Sequence, residues 1–264
     1  NFDVKYTTTA PYLALGWEAG PLSLDASVRH DSQKASGFYR EDVAGTPAWG
    51  AKSPVDYKVN HTSYSVGGNY QLNKDLAVFA RASDGVAFSA DRLLYGNPLD
   101  GSVPVAVNQV KQLEAGVKFR SGGFSSFVTL FNAKTQESNY EATTQTFTSN
   151  RYSATGVELE LGYRVGGLRV AGGATLTDAT IKASNDPTTV GNTPRRQAKL
   201  VYQVAPSYSF GPFEVGAAVI GTGSSWGDDA NTIKMGGFTV VNAFGNYQVN
   251  DRLSASLSVN NLFD

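Results

Sequence analysis

Cysteine is absent from this chain, which excludes disulfides, thiolate metal sites and cysteine nucleophiles together. Only two histidines occur, His30 and His61, and a single methionine. An excess of one charge is lacking too. Lys and Arg number 22 against 23 Asp and Glu, and a formal net charge of −1 offers no basic surface for nucleic acid. No run of about 18 apolar residues is present, so no transmembrane helix is expected. The first twenty residues have no charged region followed by an apolar core, so they are not a signal peptide. The mean hydropathy of −0.24 would suit a water-soluble chain. That inference fails for membrane strands, whose alternating residues average out.

What is plentiful is glycine, tyrosine and phenylalanine, at 28, 13 and 14 residues. Such usage suits many strands joined by turns. Helical periodicity is nearly absent, and period-two alternation runs through the chain. Leu253, Ala255, Leu257 and Val259 oppose Ser254, Ser256, Ser258 and Asn260. Leu113, Ala115, Val117 and Phe119 oppose Gln112, Glu114, Gly116 and Lys118. The same holds for Val157, Leu159, Leu161 and Tyr163 against Gly156, Glu158, Glu160 and Gly162. Leu22, Leu24, Ala26 and Val28 alternate likewise with Ser23, Asp25, Ser27 and Arg29.

A soluble sandwich also alternates, so three further features decide. The polar face carries charges and small residues, as a wet or plugged lumen would. The pattern yields about twelve strands of roughly 9–13 residues, the length a tilted membrane strand needs and about twice the ordinary one. Connections alternate short and long. Gly20-Pro21, Asn73-Lys74-Asp75, Ser121-Gly122-Gly123, Gly166-Gly167, Gly211-Pro212 and Asn250-Asp251 are tight turns. Between them lie longer polar stretches near 31–60, 85–108, 137–151, 179–196 and 223–236. Short turns on one side and long loops on the other is the outer-membrane arrangement. Tyr70, Phe119, Phe124, Tyr163, Tyr208, Phe210, Phe213 and Tyr247 all lie near a tight turn, where they would form an interfacial girdle. The chain therefore reads as all-β, an antiparallel transmembrane β-barrel segment, with one domain over 1–264.

The residues also resemble a known family. NQVKQLEAGVKFR (108–120), FSSFVTLFNAKTQ (124–136), RYSATGVELELGYRV (151–165), GNTPRRQAKLVYQ (191–203) and NNLFD (260–264) are similar to the barrel of TonB-dependent outer-membrane receptors. NYQLNKDLAVFARASDG (69–85) resembles the preceding hairpin. The resemblance implies a barrel of about 22 strands with a plugged lumen. The segment would be the later part of that barrel, without plug or last strand. It further implies the outer membrane of a Gram-negative bacterium, active import of a scarce substrate such as a ferric siderophore, and a TonB-type partner acting through the plug. No catalysis and no cofactor are implied. A passive pore formed by a smaller barrel and an outer-membrane hydrolase are the rival readings.

Alternation aims Glu114, Lys118, Arg120, Glu158 and Glu160 at the polar interior, where a carboxylate facing packed protein needs a partner. By motif position the resemblance makes Glu114, Glu158 and Glu160 contacts to plug arginines. Ligand contacts are expected from strand tops and loops: Arg29, His30, His61, Arg81, Arg151, Tyr152 and Trp226. Arginines and aromatics suit an anionic ferric chelate. Gly223-Ser224-Ser225-Trp226-Gly227 matches a nucleophile-elbow pattern, but it lacks the strand–turn–helix context that the elbow requires. Asp228, Asp229 and Asn231 are rich in oxygen yet lack the spacing of a calcium loop, so no metal site is expected.

Overall fold

The structure, a computed structural model, describes residues 2–40, 49–88, 107–141 and 146–263. Strands dominate it: β1 (Phe2–Thr9), β2 (Tyr12–Ala19), β3 (Leu22–Tyr39), β4 (Ser53–Gln71), β5 (Leu76–Ala87), β6 (Asn108–Ser121), β7 (Phe124–Glu141) and β8 (Thr146–Val165). There follow β9 (Leu168–Ala183), β10 (Leu200–Phe210), β11 (Phe213–Thr222), β12 (Ser225–Trp226), β13 (Lys234–Met235), β14 (Phe238–Asn250) and β15 (Leu253–Val259). No helix among the described residues is long and apolar enough to cross a membrane.

Thirteen of these strands make one antiparallel sheet, ordered β1-β3-β4-β5-β6-β7-β8-β9-β10-β11-β14-β15, with β2 also on β3. β1 pairs with residues 32–39 of β3 and β2 with residues 22–29. The two are one strand broken near Pro11, whose ring nitrogen cannot donate to the ladder. Twelve strand positions result, as the alternation implies. β12 and β13 form a separate small hairpin.

The tight turns are built as their residues dictate. Gly20, Gly122, Gly166 and Gly211 open two-residue turns with φ between 53° and 56°, a conformation costly for any side chain. Asn73 and Asn250 close the other two turns by accepting the Asp75 and Arg252 amides through their side chains, at 2.9 Å in each case. The aromatics near the turns are exposed on one face and touch each other. Ring centroids lie 6.1 Å apart for Phe119–Phe124, 5.4 Å for Phe210–Phe213 and 4.6 Å for Phe213–Tyr247.

Above this girdle the same face is a wall of exposed Leu, Val and Ala. It includes Leu13, Leu15, Leu24, Val66, Leu113, Leu130, Val157 and Leu176. Exposure of that much apolar side chain on one continuous face is what contact with lipid acyl chains stabilises. The opposite face is polar, with large side chains set over glycines. Phe79 lies over Gly116, Phe131 over Gly156 and Phe244 over Gly216, each pair in direct cross-strand register.

Strands reach further than alternation shows. β3 and β4 run 18 and 19 residues and β8 runs 20, so much of 31–60 and 137–151 is ladder rather than loop. Past the apolar wall polar residues occupy both faces, which erases the alternation while backbone pairing continues. A small apolar cluster, Ala35, Val55 and Tyr57 with Val4, Tyr39 and Val59, forms at this end. The expected loop residues 41–48, 89–106 and 142–145 lie outside the described residues.

A side chain at Gly116 would meet both the Val128 carbonyl and the Phe79 ring. Gly116→Val in the full-length protein is expected to lower stability by about 1–3 kcal/mol. The check is the urea midpoint of unfolding in lipid vesicles; an unchanged midpoint would contradict the tight packing.

Candidate functional site

The polar face carries its charges in cross-strand rows. Asp25 on β3, Gly67 on β4, Arg81 on β5 and Glu114 on β6 are in register. Arg81 donates to Asp25 Oδ1 at 2.9 Å and to Ser65 Oγ at 2.7 Å. The reach over β4 is possible because Gly67 has no side chain, and a Cβ there would lie 3.0 Å from both partners. Arg81 thus belongs to a mid-strand ion ladder, not to the strand tops where sequence reasoning expects it. Glu114 accepts from the Gln112 amide at 2.5 Å.

Glu158 and Glu160 follow on β8 and are exposed on the same face. Neither has a cationic partner among the described residues. They edge a hollow of about 650 Å³ floored by small residues, Gly162, Ala171, Gly173 and Ala205. Two carboxylates beside a floor of glycine and alanine leave room for a basic partner to approach closely.

At the loop ends the other candidates separate. Arg29 pairs with Asp31, Nη2 to Oδ1 at 2.8 Å. His30, one residue on, points to the opposite face and bonds Thr62 Oγ1 at 2.9 Å. It cannot share a binding surface with Arg29, because successive strand residues face opposite ways. His61 Nε2 sits 3.0 Å from Asp84 Oδ1, where pairing of β4 with β5 ends at Tyr64 and Asp84. Gln109 donates to both oxygens of that buried carboxylate, at 3.0 and 2.9 Å, and Lys111 Nζ is 3.6 Å away. His61 therefore ties strands together. Arg151 is exposed beside a register shift between β8 and β9.

Tyr152 is the candidate best placed. It lines a hollow of about 340 Å³ on the polar face with Thr135, Glu137, Asn150, Arg195 and Arg196. Burial pushes its phenol pKa above the ordinary value, against a hydrogen bond from Asn150 at 3.0 Å. The two arginines come from the loop after β9, which is clasped to the loop after β11. Arg195 N donates to Asp229 Oδ1 at 2.8 Å, Arg196 N to the Trp226 carbonyl at 2.6 Å, and Asn231 Nδ2 to the Thr193 carbonyl at 2.8 Å. Arg196 has a φ of 60°, rare for an arginine and held here by that clasp. Trp226 contributes its carbonyl to the clasp and lines a neighbouring recess with Gln197 and Lys199. Sequence reasoning passes over Arg195 and Arg196, although the Pro-Arg-Arg run stands inside one of the family-like stretches.

The clasp loop is internally satisfied. Asp228 accepts from the Thr232 hydroxyl at 2.5 Å and from the Thr232 and Ile233 amides at 2.9 Å each. No metal-binding group of His, Cys, Asp or Glu occurs among the described residues. Ser225 lies on β12 paired to β13, so the elbow geometry is not formed there. The bond from the Thr232 hydroxyl, then that from the Ile233 amide, hold the Asp228 carboxyl below its ordinary 3.8. A lowered pKa means stabilisation that is complete above the unfolded value and lost as pH falls through the folded one. Asp228→Asn at pH 7 is expected to speed hydrogen exchange at the Thr232 and Ile233 amides and leave the Gly166-Gly167 turn unchanged. Equal exchange rates would show that the carboxylate does not hold the loop.

Known proteins share this architecture. A family profile described as TonB dependent receptor-like, beta-barrel, matches residues 1–262. The ferrichrome outer membrane transporter/phage receptor of Escherichia coli (strain K12) is 32% identical over 182 residues, covering 62% of this chain and 24% of that protein. The ferric yersiniabactin uptake receptor FyuA from Yersinia pestis superposes with a TM-score of 0.80 at 20% identity, over 99% of this chain and 41% of that one. For the siderophore receptor PiuA from Acinetobacter baumannii the values are 0.81, 18%, 99% and 39%. The copper transporter OprC gives 0.80, 16%, 99% and 43%. The chain spans about a quarter of that curated relative and about two-fifths of these structures. These relatives are transporters and receptors rather than enzymes. With an apolar outer wall, a charged inner face, tight turns at one end, and a profile match over nearly its whole length, the chain belongs to the TonB-dependent receptor-like β-barrel family of outer-membrane proteins.

Proposed function

We propose that this chain is barrel wall of a receptor that imports an iron chelate across the outer membrane of a Gram-negative bacterium. The substrate would be a ferric siderophore, and the energy would be passed by a TonB-type protein through a plug seated on the polar face. The observation that carries the reading is the pairing of two features on one face. A hollow lined by Arg195, Arg196, Glu137, Asp229 and Tyr152 stands at the loop end, and carboxylates with no cationic partner among the described residues stand below it.

Within the hollow, the arginines and Tyr152 are the groups that suit an anionic chelate. Arg195 and Arg196 offer planar, permanently charged donors that match carboxylate, hydroxamate or catecholate oxygens, and Tyr152 adds a hydroxyl and a ring face. Kinship to a protein named for ferrichrome supports iron as the cargo. Deeper in the wall, Glu158, Glu160 and Glu114 would meet basic side chains of the plug. An exposed carboxylate pair without a cation is readily satisfied by arginine, and the glycine floor lets the partner come near. Release of those contacts when the plug is pulled would open the path.

In the full-length receptor, Arg196→Ala combined with Tyr152→Phe is expected to weaken chelate binding about tenfold or more, as loss of a charge-assisted hydrogen bond does. Titration of the purified receptor with a labelled ferric siderophore checks this. Unchanged affinity across chemically distinct siderophores would remove the hollow from the binding site.

Reversing both carboxylates, Glu158→Lys with Glu160→Lys, is expected to loosen the plug while the barrel still folds. The readout is antibiotic permeation and limited proteolysis of the plug in intact outer membranes. A plug as protected as in the unaltered receptor would count against these contacts.

A further inference from the structure

Arg81 passes over its nearest carboxylate. On the inner face it stands directly opposite Glu114 of β6 in register. Opposite charges so placed attract, with Cβ atoms about 5 Å apart. The guanidinium turns the other way. It crosses β4 to Asp25 on β3, which is two strand spacings or ~10 Å distant. There it bonds Asp25 Oδ1 at 2.9 Å, with Ser65 Oγ at 2.7 Å on the way. Gly67 lies between the two in register and gives the passage, since a Cβ there would meet both partners at 3.0 Å.

Glu114 is thereby left with a neutral partner. The Gln112 amide donates to its Oε1 at 2.5 Å, which steadies the carboxylate without cancelling its charge. Lys118, on the same strand and face, lays its ammonium over the Phe79 ring, 4.7 Å from the centroid. Among the described residues no cation stands within ion-pair distance of Glu114. The Arg81–Asp25 pair is itself open to water, with 41% and 51% of the two side chains exposed. Ion pairs in such surroundings are weak, so a small loss on one side is enough to change the partner. Rotation about the side-chain bonds of Arg81 would carry its guanidinium from Asp25 to Glu114 with the backbone unmoved.

We infer that Asp25 is a positioning residue for the plug contact at Glu114. It draws Arg81 across Gly67 and so keeps the barrel's own arginine off Glu114, whose charge stays available to a basic side chain of the plug. Two cations would otherwise compete for one carboxylate, and the one tethered to the neighbouring strand holds the advantage of proximity. Asp25 thus acts through Arg81 and touches neither the plug nor the imported chelate. The inference rests on the reading of Glu114 as a plug contact and names what regulates that contact.

The test uses the full-length receptor in intact outer membranes. The rate of limited proteolysis of the plug is the readout, and heat-shifted gel mobility checks that each barrel has folded. Asp25→Asn removes the charge that draws Arg81 away, and the plug is expected to be cleaved about threefold faster. Adding Arg81→Gln to Asp25→Asn should restore the original rate, because no competing cation remains. Glu114→Gln alone should also speed cleavage, and Asp25→Asn should then add nothing to it. If Glu114→Gln loosens the plug and Asp25→Asn does not, the inference is overturned while the plug contact stands. Loosening by Asp25→Asn that persists alongside Arg81→Gln overturns it as well, since Asp25 would then be no more than a brace of β3. Unchanged cleavage in Glu114→Gln removes the plug contact itself, and this inference with it.

Discussion

Everything in this molecule hangs on the antiparallel ladder that runs from β2 to β11. In a lipid bilayer an unpaired backbone amide or carbonyl has no water to turn to, so each strand must be paired along its membrane length. Pairing alone would tolerate many registers. The apolar wall removes that freedom, since a slip of one residue would turn Leu113, Val117 and Phe119 inward and bring Glu114 and Lys118 to the lipid. Register shifts fall at Arg151/Tyr152 and Gln248/Asn250, away from the middle of the wall. Backbone pairing and side-chain sorting thus hold each other in place.

The two faces solve opposite problems. The outer one needs area, which Leu, Val and the turn-side aromatics supply. The inner one needs charge without unpaired cost, and it obtains this with small residues. Gly67 lets Arg81 reach Asp25, and Gly116 and Gly156 receive the rings of Phe79 and Phe131. Where the small residues spread over several strands, around Gly162, Ala171 and Gly173, the carboxylates Glu158 and Glu160 stand beside open space. The loop end follows a third rule. There the loops after β9 and β11 are joined mainly by side chains bonding backbone, with Asp229 and Asn231 doing for the loop what strand neighbours do for the wall.

These differences explain what could be read from residues alone. Alternation is a direct image of a two-sided wall, so Leu253 to Val259 or Leu113 to Phe119 announces its own fold. Tight turns are legible because Gly166-Gly167 or Asn250-Asp251 have few other uses. The upper ladder of β3, β4 and β8 leaves no such mark, for water on both faces permits any polar residue. The break near Pro11 is visible only as a proline. Arg29 and His30 are both named for the loop end by position, while the period of two sets them on opposite faces. Arg195 and Arg196 escape notice because a hollow assembled from β7, β8 and two loops has no contiguous signature; its members lie dozens of residues apart.

The bridge across Gly67 ties together two strands, β3 and β5, that share no backbone hydrogen bond. A sheet ordinarily parts like a zipper, one ladder at a time, and each seam yields independently. Here the seam between β3 and β4 cannot open without also straining a lashing anchored one strand further on, and the same holds for the seam between β4 and β5. In a wall of paired strands, such cross-bracing spreads a local load over three staves where a bare ladder would concentrate it on one.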